Sequence, residues 1–206
     1  MLVKPKMYDE TNVNEEFERL SLGGHKGVIV KAEEYTSEIS GKTSLKVYVD
    51  TAKDDEQPEY FKKQYENDTR ENKKYPNGAI KYVSLGENEN QVRMLKSFIT
   101  SVENSNNGYT FDWDKEVDQL KGKKIGLVFG NEEYLDNEGH TKLSTKLTQF
   151  RSIDKISDIS IPKVKKLDGS YVDYDFYMSH RGTATAEEIF GSSIVETDNS
   201  SYELEI

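Results

Sequence analysis

From Gly24 onward, apolar residues recur at every second position in five separate runs, with one helix-periodic run inserted after the third. Side chains alternate across a strand, so each run marks a strand with one face buried. The order strand, strand, strand, helix, strand, strand limits the folds open to this chain more than any other feature. In the first run Val28, Val30 and Ala32 are expected to face one way and Ile29, Lys31, Glu33 and Tyr35 the other. Ser40-Gly41 supplies a turn, because glycine tolerates positive φ there. Leu45, Val47 and Val49 then alternate with Lys46, Tyr48 and Asp50. Residues 52–76 are polar and tyrosine-rich without a clean period and read as a long loop, closed by turn chemistry at Tyr75-Pro76-Asn77-Gly78. Ala79 to Leu85 is the third strand.

Asn88 with Gln91 three residues later forms a capping-box pattern that opens a helix. Val92, Leu95, Ile99 and Val102 give that helix one apolar stripe. Trp113, Val117 and Leu120 mark a packed connector. Lys123 to Tyr134 is the fourth strand and Leu143 to Ile153 the fifth, joined by a hairpin turn at Asp136-Asn137-Glu138-Gly139. On the fifth, Leu143, Thr145 and Leu147 are expected opposite Lys146, Thr148 and Phe150. A mainly β, α+β domain follows: a five-stranded Greek-key barrel with its helix between strands three and four, the oligonucleotide/oligosaccharide-binding (OB) arrangement. Residues 1–22 read as an N-terminal arm anchored by Phe17 and Leu20, 23–167 as the barrel, and 168–206 as a flexible acidic tail.

Composition bounds the chemistry. With 206 residues, 34% of them hydrophobic, one core is expected rather than two. The chain has no cysteine, which excludes disulfides, zinc–thiolate sites and cysteine nucleophiles. No apolar run reaches the roughly 20 residues of a membrane span, and the N-terminus lacks a signal-peptide core. The expected location is the cytoplasm of a bacterial host cell. The net charge of −10 is uneven: residues 187–206 carry six acidic and no basic side chains, while 121–166 hold ten basic against six acidic. Such segregation suggests a basic binding face and an acidic tail.

The segment running from Leu120-Lys-Gly-Lys-Lys-Ile125 to Gly130, with Glu132-Glu133-Tyr134, the turn at Gly139, Ser144-Thr-Lys146 and Phe150-Arg-Ser-Ile-Asp-Lys-Ile156, resembles a family encoded in replication modules of phages and prophages of Gram-positive bacteria. Its members are described as of unknown function or as single-stranded DNA-binding. The likeness covers roughly residues 22–167, is strongest over 120–156, and carries no catalytic residues. It implies a barrel that coats single strands during phage replication or recombination. The tail, ending Ser201-Tyr-Glu-Leu-Glu-Ile206, is similar in acidity and apolar close to the partner-recruiting tips of bacterial single-strand binders. It lacks their compact aspartate run and proline–phenylalanine ending. Tyr202, Leu204 and Ile206 are the partner-binding candidates, for replication or recombination proteins.

Single-strand binding needs cations for phosphates and flat side chains for bases, each stack contributing about 1–3 kcal/mol. The candidates are Lys46 and Tyr48 on strand two; Phe61, Lys62, Lys63, Tyr65, Arg70, Lys73, Lys74 and Tyr75 in the loop; Lys81 and Tyr82 on strand three; and Lys146, Phe150 and Arg151 on strand five. No cofactor, metal or catalytic residue is expected, and self-association is left open. His25, His140 and His180 lie far apart and read as surface residues; Asp112/Asp114 and Asp173/Asp175 are thin candidates for a metal-dependent nuclease. An acidic protein-interaction module or DNA-mimic inhibitor is the other competing class.

Overall fold

The computed structural model describes residues 3–6 and 18–181. Among these residues the architecture is mainly β with helices, as the alternation requires: an open mixed sheet of seven strands, with three α-helices. In chain order the elements are β1 (Gly23–Thr36), β2 (Thr43–Thr51), α1 (Tyr60–Glu66), β3 (Ile80–Ser84), α2 (Glu89–Ser105), β4 (Lys124–Leu135), β5 (Thr141–Arg151), β6 (Val164–Lys165), β7 (Tyr171–Val172) and α3 (Tyr174–His180). The sheet runs β3-β2-β1-β4-β6-β7, with β5 paired to β4. All the long ladders are antiparallel; the single β4–β6 pairing is parallel. β5 also lies against β3 and the 3₁₀ turn Asn77–Ala79 that precedes it. The sheet thereby curls around a core that includes Ile29, Val47, Val49, Leu127 and Phe129, all fully buried. Burying each such side chain contributes about 1.5–3 kcal/mol.

Two bulges correct the simple alternation. On β1 the register shifts between Ile29 and Lys31, leaving Val30 as the extra residue. Ile29 and Ala32, expected on opposite faces, are therefore both buried, while Val30, expected beside Ala32, is 38% exposed. On β5 the shift leaves Thr148 unpaired, so Leu147 and Phe150 both turn inward. The Thr148 hydroxyl donates to the Val128 carbonyl at 2.8 Å. Beyond the bulge on β1, Lys31, Glu33 and Tyr35 point away from the core.

The stretch read as a loop contains α1. Its N-cap, Glu59, has φ 51° and makes no side-chain capping bond. The cap comes from β2 instead: Asp50 Oδ1 accepts the Phe61 amide at 2.8 Å and Oδ2 accepts the Lys62 amide at 3.2 Å. Asp50 is buried, and that burial raises its carboxyl above the ordinary value. Helix α2 is as expected at its start, where Asn88 Oδ1 accepts the Gln91 amide at 3.0 Å. Its buried residues are Phe98, Ile99, Ser101 and Val102, whereas Val92 is largely exposed.

Residues 152–162 cover the far side of β1 and β4. A Cβ at Gly24 would meet the Ile156 carbonyl oxygen at 2.3 Å, and one at Gly126 would meet Ile156 Cγ2 at 2.5 Å. Only glycine allows that approach. Residues 168–181, assigned from sequence to the flexible tail, instead form β7 and α3. Glu133 holds this region, accepting the Leu167 amide at 3.0 Å and the Tyr177 hydroxyl at 2.6 Å. Residues 182–206, and with them the acidic tail and Tyr202, Leu204 and Ile206, lie outside the described residues, as does Phe17.

Candidate nucleic-acid interface

The outward face of β1–β3 carries three rows of side chains in register: Lys31, Tyr48 and Ile80; then Glu33, Lys46 and Tyr82; then Tyr35, Ser44 and Ser84. Lys46 stands at the centre of this grid. Its Nζ lies 5.0 Å from the Tyr48 ring centroid, 5.6 Å from Tyr35 and 5.8 Å from Tyr82. Those distances are within reach of cation–π attraction. The Tyr35 and Tyr82 rings sit 5.5 Å apart and remain 40% and 46% exposed. Lys31 Nζ lies 5.5 Å from the Tyr48 centroid and pairs with Glu33. Glu33 in turn accepts the Tyr48 hydroxyl at 2.7 Å. Lys31, with Tyr48, holds the Glu33 carboxyl below its usual range; contact with Tyr48 raises the Lys46 ammonium above its ordinary value despite partial burial.

The aromatic line continues past β2. Tyr48 meets Tyr75 at 6.0 Å, Tyr75 meets Tyr65 at 6.0 Å, and Lys73 Nζ stands 4.7 Å from the Tyr65 ring. Helix α1 sets Tyr65 in place, so the Asp50 cap supports this end of the face. Tyr75 is half-buried and its hydroxyl donates to the Val49 carbonyl at 2.8 Å; burial pushes that phenol well above its ordinary value. It packs the rings beside it rather than offering its own face.

Of the sequence candidates, Lys46, Tyr48, Tyr65, Lys73, Tyr75 and Tyr82 come together. Others fall elsewhere. Phe61 is 4% exposed and packs on Phe129 with ring centroids 5.5 Å apart, so it belongs to the core. Phe150 is likewise core, 4.8 Å from Phe98, turned inward by the β5 bulge. Lys81 is paired with Val47 on the inward face of β3, and burial lowers its ammonium. Lys62 is held by Glu59 at 3.0 Å and Arg70 by Asp68 at 2.6 Å. Lys63 and Lys74 are exposed on and after α1. Lys146 and Arg151, on β5, pair with Gly130 and Gly126 of β4, away from the β1–β3 tyrosines. Sequence reasoning missed Lys31, Glu33 and Tyr35 as site residues, although the alternation of β1 already set the three on one face.

His25 also departs from the surface position expected of it. It is 3% exposed, with Nδ1 2.9 Å from Asp55 Oδ2 and Nε2 3.0 Å from Ser21 Oγ and 3.1 Å from the Ser21 carbonyl. Burial alone would lower the imidazole, but the bond and charge of Asp55 outweigh it and hold it above its ordinary value. When protonated, the imidazole donates from both nitrogens, to Asp55 and to the Ser21 carbonyl. The same segment is fixed by its amides, Leu20 donating to the Tyr60 hydroxyl at 3.1 Å and Ser21 to Gln57 Oε1 at 2.8 Å. This Ser–His–Asp trio docks the segment before β1 onto the sheet.

The paired aspartates are engaged by neighbouring groups. Asp112 binds Lys115 at 2.9 Å and accepts the Asp114 amide, and Asp173 caps α3. Asp136, Glu138 and His140 lie close together in the β4–β5 turn, where Lys142 Nζ already sits 2.6 Å from Asp136 Oδ2. No helix among the described residues is long and apolar enough to cross a membrane. No family model matches this sequence, and no curated protein matches it.

Proposed function

We propose that this chain binds single-stranded DNA across the outward face of β1–β3, stacking bases on its tyrosines and holding phosphates with its lysines. One observation carries the reading: Lys46 set within 6 Å of three tyrosine rings, two of them substantially open to solvent. Aromatic faces with interleaved cations suit bases of any sequence and a strand of phosphates. The fold proposed beneath it is the five-stranded OB barrel, whose strand-two and strand-three face is a binding surface. Its support is the β1–β3 meander, α2 between β3 and β4, and β5 lying against β3. The resemblance over 120–156 supports a place in phage or prophage replication or recombination.

The test is a competition between single-stranded DNA and a blunt duplex of equal length. Paired bases hide their faces, so three lost stacks of at least about 1 kcal/mol each give roughly a hundredfold preference for the single strand. Equal affinity, or tighter duplex binding, contradicts the reading. Absence of any DNA binding would favour the protein-interaction class.

A further inference from the structure

We infer that Glu33 makes this face discriminate among bases and favour guanine, an inference that rests on the single-strand reading above. A carboxylate on a phosphate-binding surface is unexpected, because it repels the backbone. Glu33 nevertheless stands at the β1 end of the row it shares with Lys46 and Tyr82, beside the row of Lys31 and Tyr48. Its side chain is 35% exposed, open to a ligand from the solvent side. It is also oriented: Tyr48 donates to Oε1 at 2.7 Å and Lys31 pairs with Oε2. A strand lying here must therefore turn its bases toward Glu33 and its phosphates toward Lys31, Lys46 and Lys73.

An ionised carboxylate only accepts, at about four lone-pair sites over its two oxygens. Tyr48 and Lys31 use one on each oxygen, leaving one on each. The base that matches two adjacent acceptors must present two adjacent donors. Guanine does so with N1–H and N2–H. Adenine and cytosine place an amino donor beside a ring-nitrogen acceptor, and thymine has one N–H flanked by carbonyls. Tyr48 donates to Glu33, so a base stacked on the Tyr48 ring has its edge beside this carboxylate, and guanine gains a charge-assisted bidentate pair where the others meet repulsion.

The experiment is fluorescence anisotropy with labelled d(GT), d(IT), d(CT) and dT strands of equal length, in lithium buffer to prevent quadruplexes. Inosine keeps N1–H and lacks the N2 amino group, so it probes the pair without altering the protein. The wild type should prefer d(GT) over dT by roughly tenfold, d(IT) should lose most of that, and Glu33→Gln should bring the d(GT)-to-dT ratio close to one. Equal binding of all four strands by the wild type, or an undiminished ratio in Glu33→Gln, overturns the inference. Failure to bind any of the four overturns the single-strand reading itself, and this inference with it.

Discussion

Replacing Tyr35, Tyr48 and Tyr82 together with alanine is expected to weaken single-stranded DNA binding by about 3–6 kcal/mol, between roughly a hundredfold and ten-thousandfold. Each ring removed takes away one stacking surface. Lys46 also loses the three rings that surround it. The range stops short of three full stacks, because neighbouring contacts are not additive. The lysines remain, so the dependence of affinity on salt should change little, since that slope counts phosphate contacts. Tyr35 and Tyr82 are among the more exposed large side chains of the sheet, so the melting temperature should fall only modestly. The measurement is a titration of both proteins at several salt concentrations with a thermal melt of each. A loss below about tenfold in a folded triple variant would show that these rings serve the sheet and not a ligand.

Phe129→Ala is expected to destabilise the fold by about 3–5 kcal/mol, a large share of the 5–15 kcal/mol that holds a typical domain together. Phe129 is fully buried on β4, where the alternation of the strand directs it inward with Ile125 and Leu127. Its ring meets Phe61 of α1 at 5.5 Å and His25 of β1 at 5.6 Å. Truncation would open a cavity between β4, β1 and α1, with α1 held through Asp50 and the segment before β1 through His25. That connectivity leaves little room for collapse, which places the effect toward the upper end. Denaturant unfolding measures it directly. A loss under about 1 kcal/mol would show that the sheet is not packed around this residue.

Much of the fold was legible because alternation is a strong signal wherever one strand face is buried. The five long strands, α2 and its Asn88 cap all sit where the sequence placed them, within a few residues. What was not legible depended on contacts between residues far apart in sequence. The bulges at Val30 and Thr148 reverse the facing of neighbouring side chains, and nothing local in a β-branched residue announces an unpaired position. Helix α1 is capped by Asp50, ten residues before it begins, so its start carried no capping residue of its own. Helix α3 is tethered through Glu133 on β4, without an apolar stripe to reveal it. The site suffered the same way. Composition pointed to the right region, but burial separated Phe61 and Phe150, which pack, from Tyr48 and Tyr82, which line the outward face. Lys31, Glu33 and Tyr35 were within reach, since pairing β1 beside β2 would have set them against Lys46 and Tyr48.

The central claim is that a single strand lies on the outward face of β1–β3, and photo-crosslinking locates a bound strand most directly. A single-stranded oligonucleotide with 5-iodouracil in place of thymine would be bound, irradiated and digested, and the crosslinked peptides mapped by mass spectrometry. The account predicts adducts at Tyr35, Tyr48, Tyr82 or Tyr65, the rings assigned to stack bases. Adducts confined to peptides from β5 or residues 152–181, with none on β1–β3, would contradict it.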